Sequence, residues 1–317
     1  MWLILAFTSA FFLGFYDVFK KKSLKDNAVV PVLFLNVLFS SIIFLPFIIA
    51  SKEGWLDSGS IFFTHSYGLD GHKYIILKSV IVLTSWVFGY LGMKNLPITI
   101  VGPINATRPV MVLIGALTFL GEHLNIWQWI GVIIAIISFY IMSRSGKREG
   151  IDFKHNKWIV CVLLANIFGA LSALYDRYLL DPEQVGLDKM AVQSWFNIYQ
   201  VAMMGIVLII TEWKTITAKL FKSSSISNSS SYTPSHFHWS WCIPLISVSL
   251  SIADFVYFYA LSQDDAMISI VSMIRRGSVI VSFLFGAMIF KEKNLKAKVF
   301  DLLLVLLSMV FLFIGSR

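Results

Sequence analysis

Long apolar runs broken by short charged turns recur along the whole chain. In a helix rising 1.5 Å per residue, ~20 apolar residues cross the ~30 Å hydrocarbon layer of a bilayer. Ten such runs are read, at 2–19, 31–50, 74–93, 98–119, 126–142, 158–176, 190–211, 239–261, 266–290 and 297–315. They are continuous rather than alternating in short segments, which favours helices over a transmembrane barrel. The pattern predicts an all-α integral membrane protein with no separate soluble domain. The first run has no basic residue ahead of it and no A-x-A-like site behind it, so it reads as a mature helix rather than a secretory leader.

Composition agrees with this pattern. Hydrophobic residues make up 57% of the 317 and charged residues 14%, and the mean hydropathy of +0.76 is more than a soluble core needs. The net charge of +8 sits in the turns between runs. It therefore reads as a topology signal, and no nucleic-acid partner is expected. Cys161 and Cys242 fall inside apolar runs, as packing residues. The segment KSSSISNSSSYTPSHFH (222–238) reads as a flexible Ser-rich loop, with His236 and His238 as loop residues rather than metal ligands, and no cofactor is expected.

Sliding the chain on itself by 170 positions aligns Leu91 with Leu261, Ile98 with Ile268, Ile104 with Ile274, Glu122 with Glu292 and Ser138 with Ser308. Tyr16-Asp17 near the end of the first run likewise resembles Tyr175-Asp176 near the end of the sixth. The unit is five helices, at 1–145 and 146–317. An odd number of spans per unit makes the second copy enter the membrane upside down. The expected architecture is ten transmembrane helices in two inverted five-helix repeats, with a site near the midplane between them. Lys and Arg concentrate in the loops after helices 1, 3, 5, 7 and 9, so the positive-inside rule places both termini outside.

From Lys94 to Gly131 the chain has a short polar turn, a helix containing Pro103 and Pro109, the turn Gly121-Glu122 and the glycine Gly131. This pattern resembles the EamA family of the drug/metabolite transporter superfamily. The second repeat keeps Glu292 but has Lys291 for the turn glycine and Asp301 where Gly131 aligns. LGFYDVFKKKSL resembles the family's segment in which a lysine follows a glycine by about seven residues, here Gly14 and Lys21. The resemblance implies a ten-helix transporter with termini in the cytoplasm, opposite to the orientation the loop charges give.

Arg275 and Arg276 lie in the middle of the ninth run. A central arginine costs ~2.5–3.5 kcal/mol on insertion scales, and snorkelling reaches the interface poorly from that depth. Both need acidic partners or an acidic ligand. Ser272, Arg275, Ser282 and Gly286 fall on one helix face, as do Ser247, Ser251, Asp254 and Tyr257 in the eighth run. Asn105 aligns with Arg275, and Arg108 lies one turn further on. Arg275, Arg276, Arg108, Asn105, Asp254 and Tyr257 are thus candidate substrate-binding residues; Asp17, Lys21 and Asp176 are candidates for coupling or gating. Asp301 is a further acidic candidate, and Trp86, Tyr90, Trp195 and Tyr199 are candidate walls.

Guanidinium groups bind carboxylate or phosphate through paired hydrogen bonds. The expected function is alternating-access transport of a small polar metabolite across the plasma membrane. The solute would be anionic or zwitterionic, such as an amino acid or organic acid, with proton coupling through a carboxylate as one option. The expected partners are that solute and the bilayer, with the protein a monomer or homodimer. A multidrug or lipid-linked substrate exporter is the alternative within transport. An integral membrane enzyme is the alternative outside it, and no H-E-x-x-H or phosphate-loop spacing supports one.

Overall fold

The computed structural model describes residues 2–108, 110–112, 125–147, 155–180, 182–221, 236–261, 271, 274–290 and 295–315. Predicted features on Pro109, Gly121, Glu122, Ile268, Ser272, Lys291 and Glu292, and most of the Ser-rich segment, lie outside them. Among the described residues there are ten helices: α1 Trp2–Leu24, α2 Val29–Lys52, α3 Leu69–Asn95, α4 Ile98–Ala106, α5 Ile126–Lys147, α6 Lys157–Leu180, α7 Lys189–Phe221, α8 Cys242–Leu261, α9 Ser278–Phe290 and α10 Leu295–Gly315. Helices satisfy their own backbone polar groups, which an apolar sequence requires if it is to leave water. Six are long and apolar enough to cross a membrane: Trp2–Leu24, Val29–Lys52, Leu69–Asn95, Lys157–Leu180, and the portions Lys189–Thr211 of α7 and Cys242–Ala260 of α8.

The interior is mainly apolar, as in a soluble bundle, but the exterior is apolar too. The outer surface presents Ile4, Phe7 and Phe11 on α1, Ile133, Ile136 and Tyr140 on α5, and Leu303, Leu307 and Val310 on α10. Polar side chains point inward, including Asn36, Ser79, Asn166 and the Gln193, Asn197, Gln200 stripe of α7. Such a continuous apolar exterior fits a lipid surface.

The first five helices pack on the last five in pairs. α1 lies on α8 and α3 on α6; α2 meets α7, α4 meets α9, and α5 meets α10. Exchanging each helix for the one five places along turns this set of contacts into itself. At the last pair, Ser138 Oγ donates to the Asp301 carbonyl (3.0 Å) and Ser308 Oγ donates to the Gly131 carbonyl (2.8 Å). These two bonds are related by the 170-residue offset. They also fix the pair as antiparallel, because the contact moves up one helix as it moves down the other.

Two predicted spans differ in form. The runs at 98–119 and 266–290 read as continuous helices, but each is broken. Thr107 N–H bonds the Ile104 carbonyl (3.2 Å) and Val110 N–H bonds the Thr107 carbonyl (3.0 Å). In the second half, Gly277 N–H bonds the Ile274 carbonyl (2.9 Å) and Ile280 N–H bonds the Gly277 carbonyl (2.9 Å). Both are i to i+3 turns interrupting the helical ladder, at positions 170 apart. Hydropathy cannot report such a break, because the residues on either side stay apolar.

Candidate functional site

The breaks put three arginines beside one central cavity of about 180 Å³. Its walls come from α1, α3, α6 and α8, with Gln193 and Phe196 of α7, together with the two broken segments. Leu13, Tyr16, Asp17 and Lys20 recur at helical spacing on α1; Leu250, Asp254, Tyr257 and Phe258 do so on α8. On α6 the wall is Ala165, Gly169, Ser172, Ala173 and Asp176, a face of small side chains that leaves room. Lys78, Val82, Ser85, Trp86, Gly89 and Tyr90 of α3 stand opposite. The lining runs from the middle of each of these helices toward its C-terminal end.

Of the residues expected at the site, Arg275, Arg276, Arg108, Asn105, Asp254, Tyr257, Asp17 and Asp176 all line this cavity. Lys21 does not. Its ammonium donates to the carbonyls of Met93 (2.7 Å) and Leu96 (2.5 Å), where the end of α3 leaves carbonyls without intrahelical partners. The neighbouring Lys20, about 100° around the helix, faces the cavity instead. Trp86, Tyr90 and Tyr257 are walls, whereas Trp195 and Tyr199 pack on His72, with Tyr199 Oη 2.8 Å from His72 Nδ1. Asp301 is buried on α10 and is not among the lining residues.

The charges are arranged as ion pairs with aromatic support. Arg275 donates to Asp254, and its guanidinium lies 4.3 Å from the centre of the Tyr257 ring. Lys78 donates to Asp176 and sits 5.2 Å from the Phe196 ring centre. Lys20 donates to Asp17 (2.7 Å) and lies 4.2 Å over Tyr16. Aromatic faces attract cations, most strongly where water is excluded. Lys78 and Lys20 escaped the sequence reading. Lys78 stands only a few residues inside a predicted span, where a lysine resembles an end anchor.

Arg108 is held differently. Its Nε and Nη2 donate to Asn166 Oδ1 (3.2 and 3.1 Å), and Asn166 Nδ2 donates to the Ile104 carbonyl at the break (2.8 Å). Gly169 makes this possible: a Cβ there would stand 2.5 Å from Arg108 Cζ. Arg276 has no hydrogen bond or ion pair among the described residues. Groups of His, Cys, Asp and Glu able to hold a metal are absent among the described residues.

A multi-pass helical membrane protein with a charged central cavity is what a small-solute transporter requires, and comparison with known proteins agrees on the class. Residues 1–144 match the EamA-like transporter family, which falls within the drug/metabolite transporter superfamily. No curated protein matches the chain significantly. Among the matching solved structures, one described as "Crystal structure of protein" is 10% identical, with a TM-score of 0.60 over 100% of this chain and 98% of its own. At that identity the likeness speaks to the fold alone.

Proposed function

We propose that this protein is a secondary transporter of the plasma membrane, moving a small anionic or zwitterionic metabolite by alternating access. Residues 1–145 and 146–317 act as two inverted five-helix repeats that rock around the central cavity. The observation that carries the reading is the pair of helix breaks at Thr107 and Gly277, 170 residues apart, each beside arginine side chains lining one cavity. Interrupted membrane helices at corresponding places in two repeats are a recurrent form of midplane transport site. The reciprocal Ser138 and Ser308 bonds support the repeat.

Arginine facing a cavity inside a protein attracts oxyanions more strongly than it does in bulk water, because the surroundings screen charge less. The carboxylates of Asp17, Asp176 and Asp254 can meet an ammonium group or carry a coupling proton, Asp254 being the candidate for the latter. Uptake by the purified protein in liposomes tests the reading with lactate, succinate, glycerol phosphate, alanine and a diamine. Saturable uptake and counterflow of acidic or zwitterionic compounds are expected. Uptake confined to the diamine would end this proposal.

A further inference from the structure

Each carboxylate of the cavity already has its own cation. Asp17 is taken by Lys20, Asp176 by Lys78 and Asp254 by Arg275. That leaves Arg108 and Arg276. Arg108 is held by the neutral amide of Asn166, and Arg276 has no protein partner among the described residues. Both line the cavity, as does Asp17, whose carboxylate Lys20 already holds.

The lining carries five cations, Lys20, Lys78, Arg108, Arg275 and Arg276, against the three carboxylates of Asp17, Asp176 and Asp254, and like charges in one cavity repel. The arrangement balances when the occupant brings about two negative charges. Neither a monoanion nor a zwitterion does so. A planar guanidinium offers paired donors to each oxyanion, and at about 180 Å³ the cavity is below the ~300–1,000 Å³ of drug-sized sites. A small solute fits that space better than a lipid-linked one.

We infer that the transported solute is a small divalent anion, a phosphate monoester or a dicarboxylate, recognised by Arg108 and Arg276. Arg275 is then a positioning cation, held by Asp254 and the Tyr257 ring, that shapes the wall rather than setting the ligand's charge. This inference rests on the transporter reading above. It goes beyond that reading by fixing the charge of the solute and exchanging the arginine assigned to it.

Binding of glycerol phosphate, succinate, lactate and alanine to the purified full-length protein tests it, at a pH where the first two are divalent. A dianion should bind at least about tenfold tighter than lactate. The comparison of glycerol phosphate with succinate tells a phosphate site from a dicarboxylate site. Arg276→Gln and Arg108→Gln should each erase the preference for dianions. The double variant Arg275→Gln/Asp254→Asn removes a neutral pair, leaves the net charge unchanged, and should keep that preference whatever it does to transport rate.

A second readout needs no ligand. Arg276→Gln removes an unpaired charge from a low-dielectric wall, so the unliganded protein should melt at the same temperature or higher. A clear fall would mean that Arg276 has a protein partner, and would overturn its assignment. Equal binding of lactate and both dianions would overturn the divalent charge while leaving anion transport intact. Binding of neither lactate nor a dianion would remove this inference, and saturable alanine uptake would then still support the transporter reading. Loss of the preference in the double variant would return recognition to Arg275.

Discussion

Asp176 accepts a hydrogen bond from Lys78, whose side chain is only 4% exposed. Removing one member of a buried pair leaves the other charged in poor solvent, at a cost on the order of 3 kcal/mol. Asp176→Asn should therefore lower the stability of the purified protein by about that amount, and adding Lys78→Met should recover most of it. Chemical or thermal unfolding of the two variants checks this. A single variant as stable as the parent would show that the pair does not hold α3 to α6. At this scale, charge in an apolar run was the legible signal, and it singled out Arg108, Arg275, Arg276, Asp254 and Asp176. It failed where charge stood close to a predicted end, as at Lys78. It also failed where one position changed the facing direction, as between Lys20 and Lys21.

The arginines owe their placement to breaks in the segments that bear them. At Thr107 the side-chain hydroxyl donates to the Ile104 carbonyl (2.7 Å), and the same oxygen accepts from Asn166, so one freed acceptor gathers α4, its break and α6. At Gly277 no side chain among the described residues does this. A Cβ there would stand 2.9 Å from the Ile274 carbonyl oxygen, a backbone atom unable to swing aside. Gly277→Ala should therefore shift the break and the two arginines just before it. The expected result is a loss of anion affinity of about tenfold, roughly 1.4 kcal/mol, with the protein still folded. Unchanged affinity by calorimetry would show that the break tolerates a side chain. The positions of the apolar elements were legible from run length, since a bilayer sets that length. The breaks were not, because an i to i+3 turn costs no apolar residue and leaves the hydropathy unchanged.

The exchange pattern of helix contacts makes a claim about the whole molecule that no single helix makes. If α1 to α5 and α6 to α10 are inverted copies, the turns after α1 and after α6 lie on opposite sides of the membrane. Lys25 and Gln184 are exposed residues in those two turns. In a protein lacking Cys161 and Cys242, Lys25→Cys and Gln184→Cys should react with a membrane-impermeant maleimide from opposite faces. Labelling of both from one side would reject the inversion, whatever the similarity of the halves. The same measurement decides between the two orientations read from the sequence. Positive loops place Lys25 in the cytoplasm, whereas the family resemblance places it outside. The offset of 170 was visible in a few scattered identities, and the structure returns it in the Ser138 and Ser308 bonds and in the two breaks. Orientation was not legible in the same way. If the halves are inverted copies, they present similar surfaces to the two sides, and the bias of loop charge then selects which way the chain inserts.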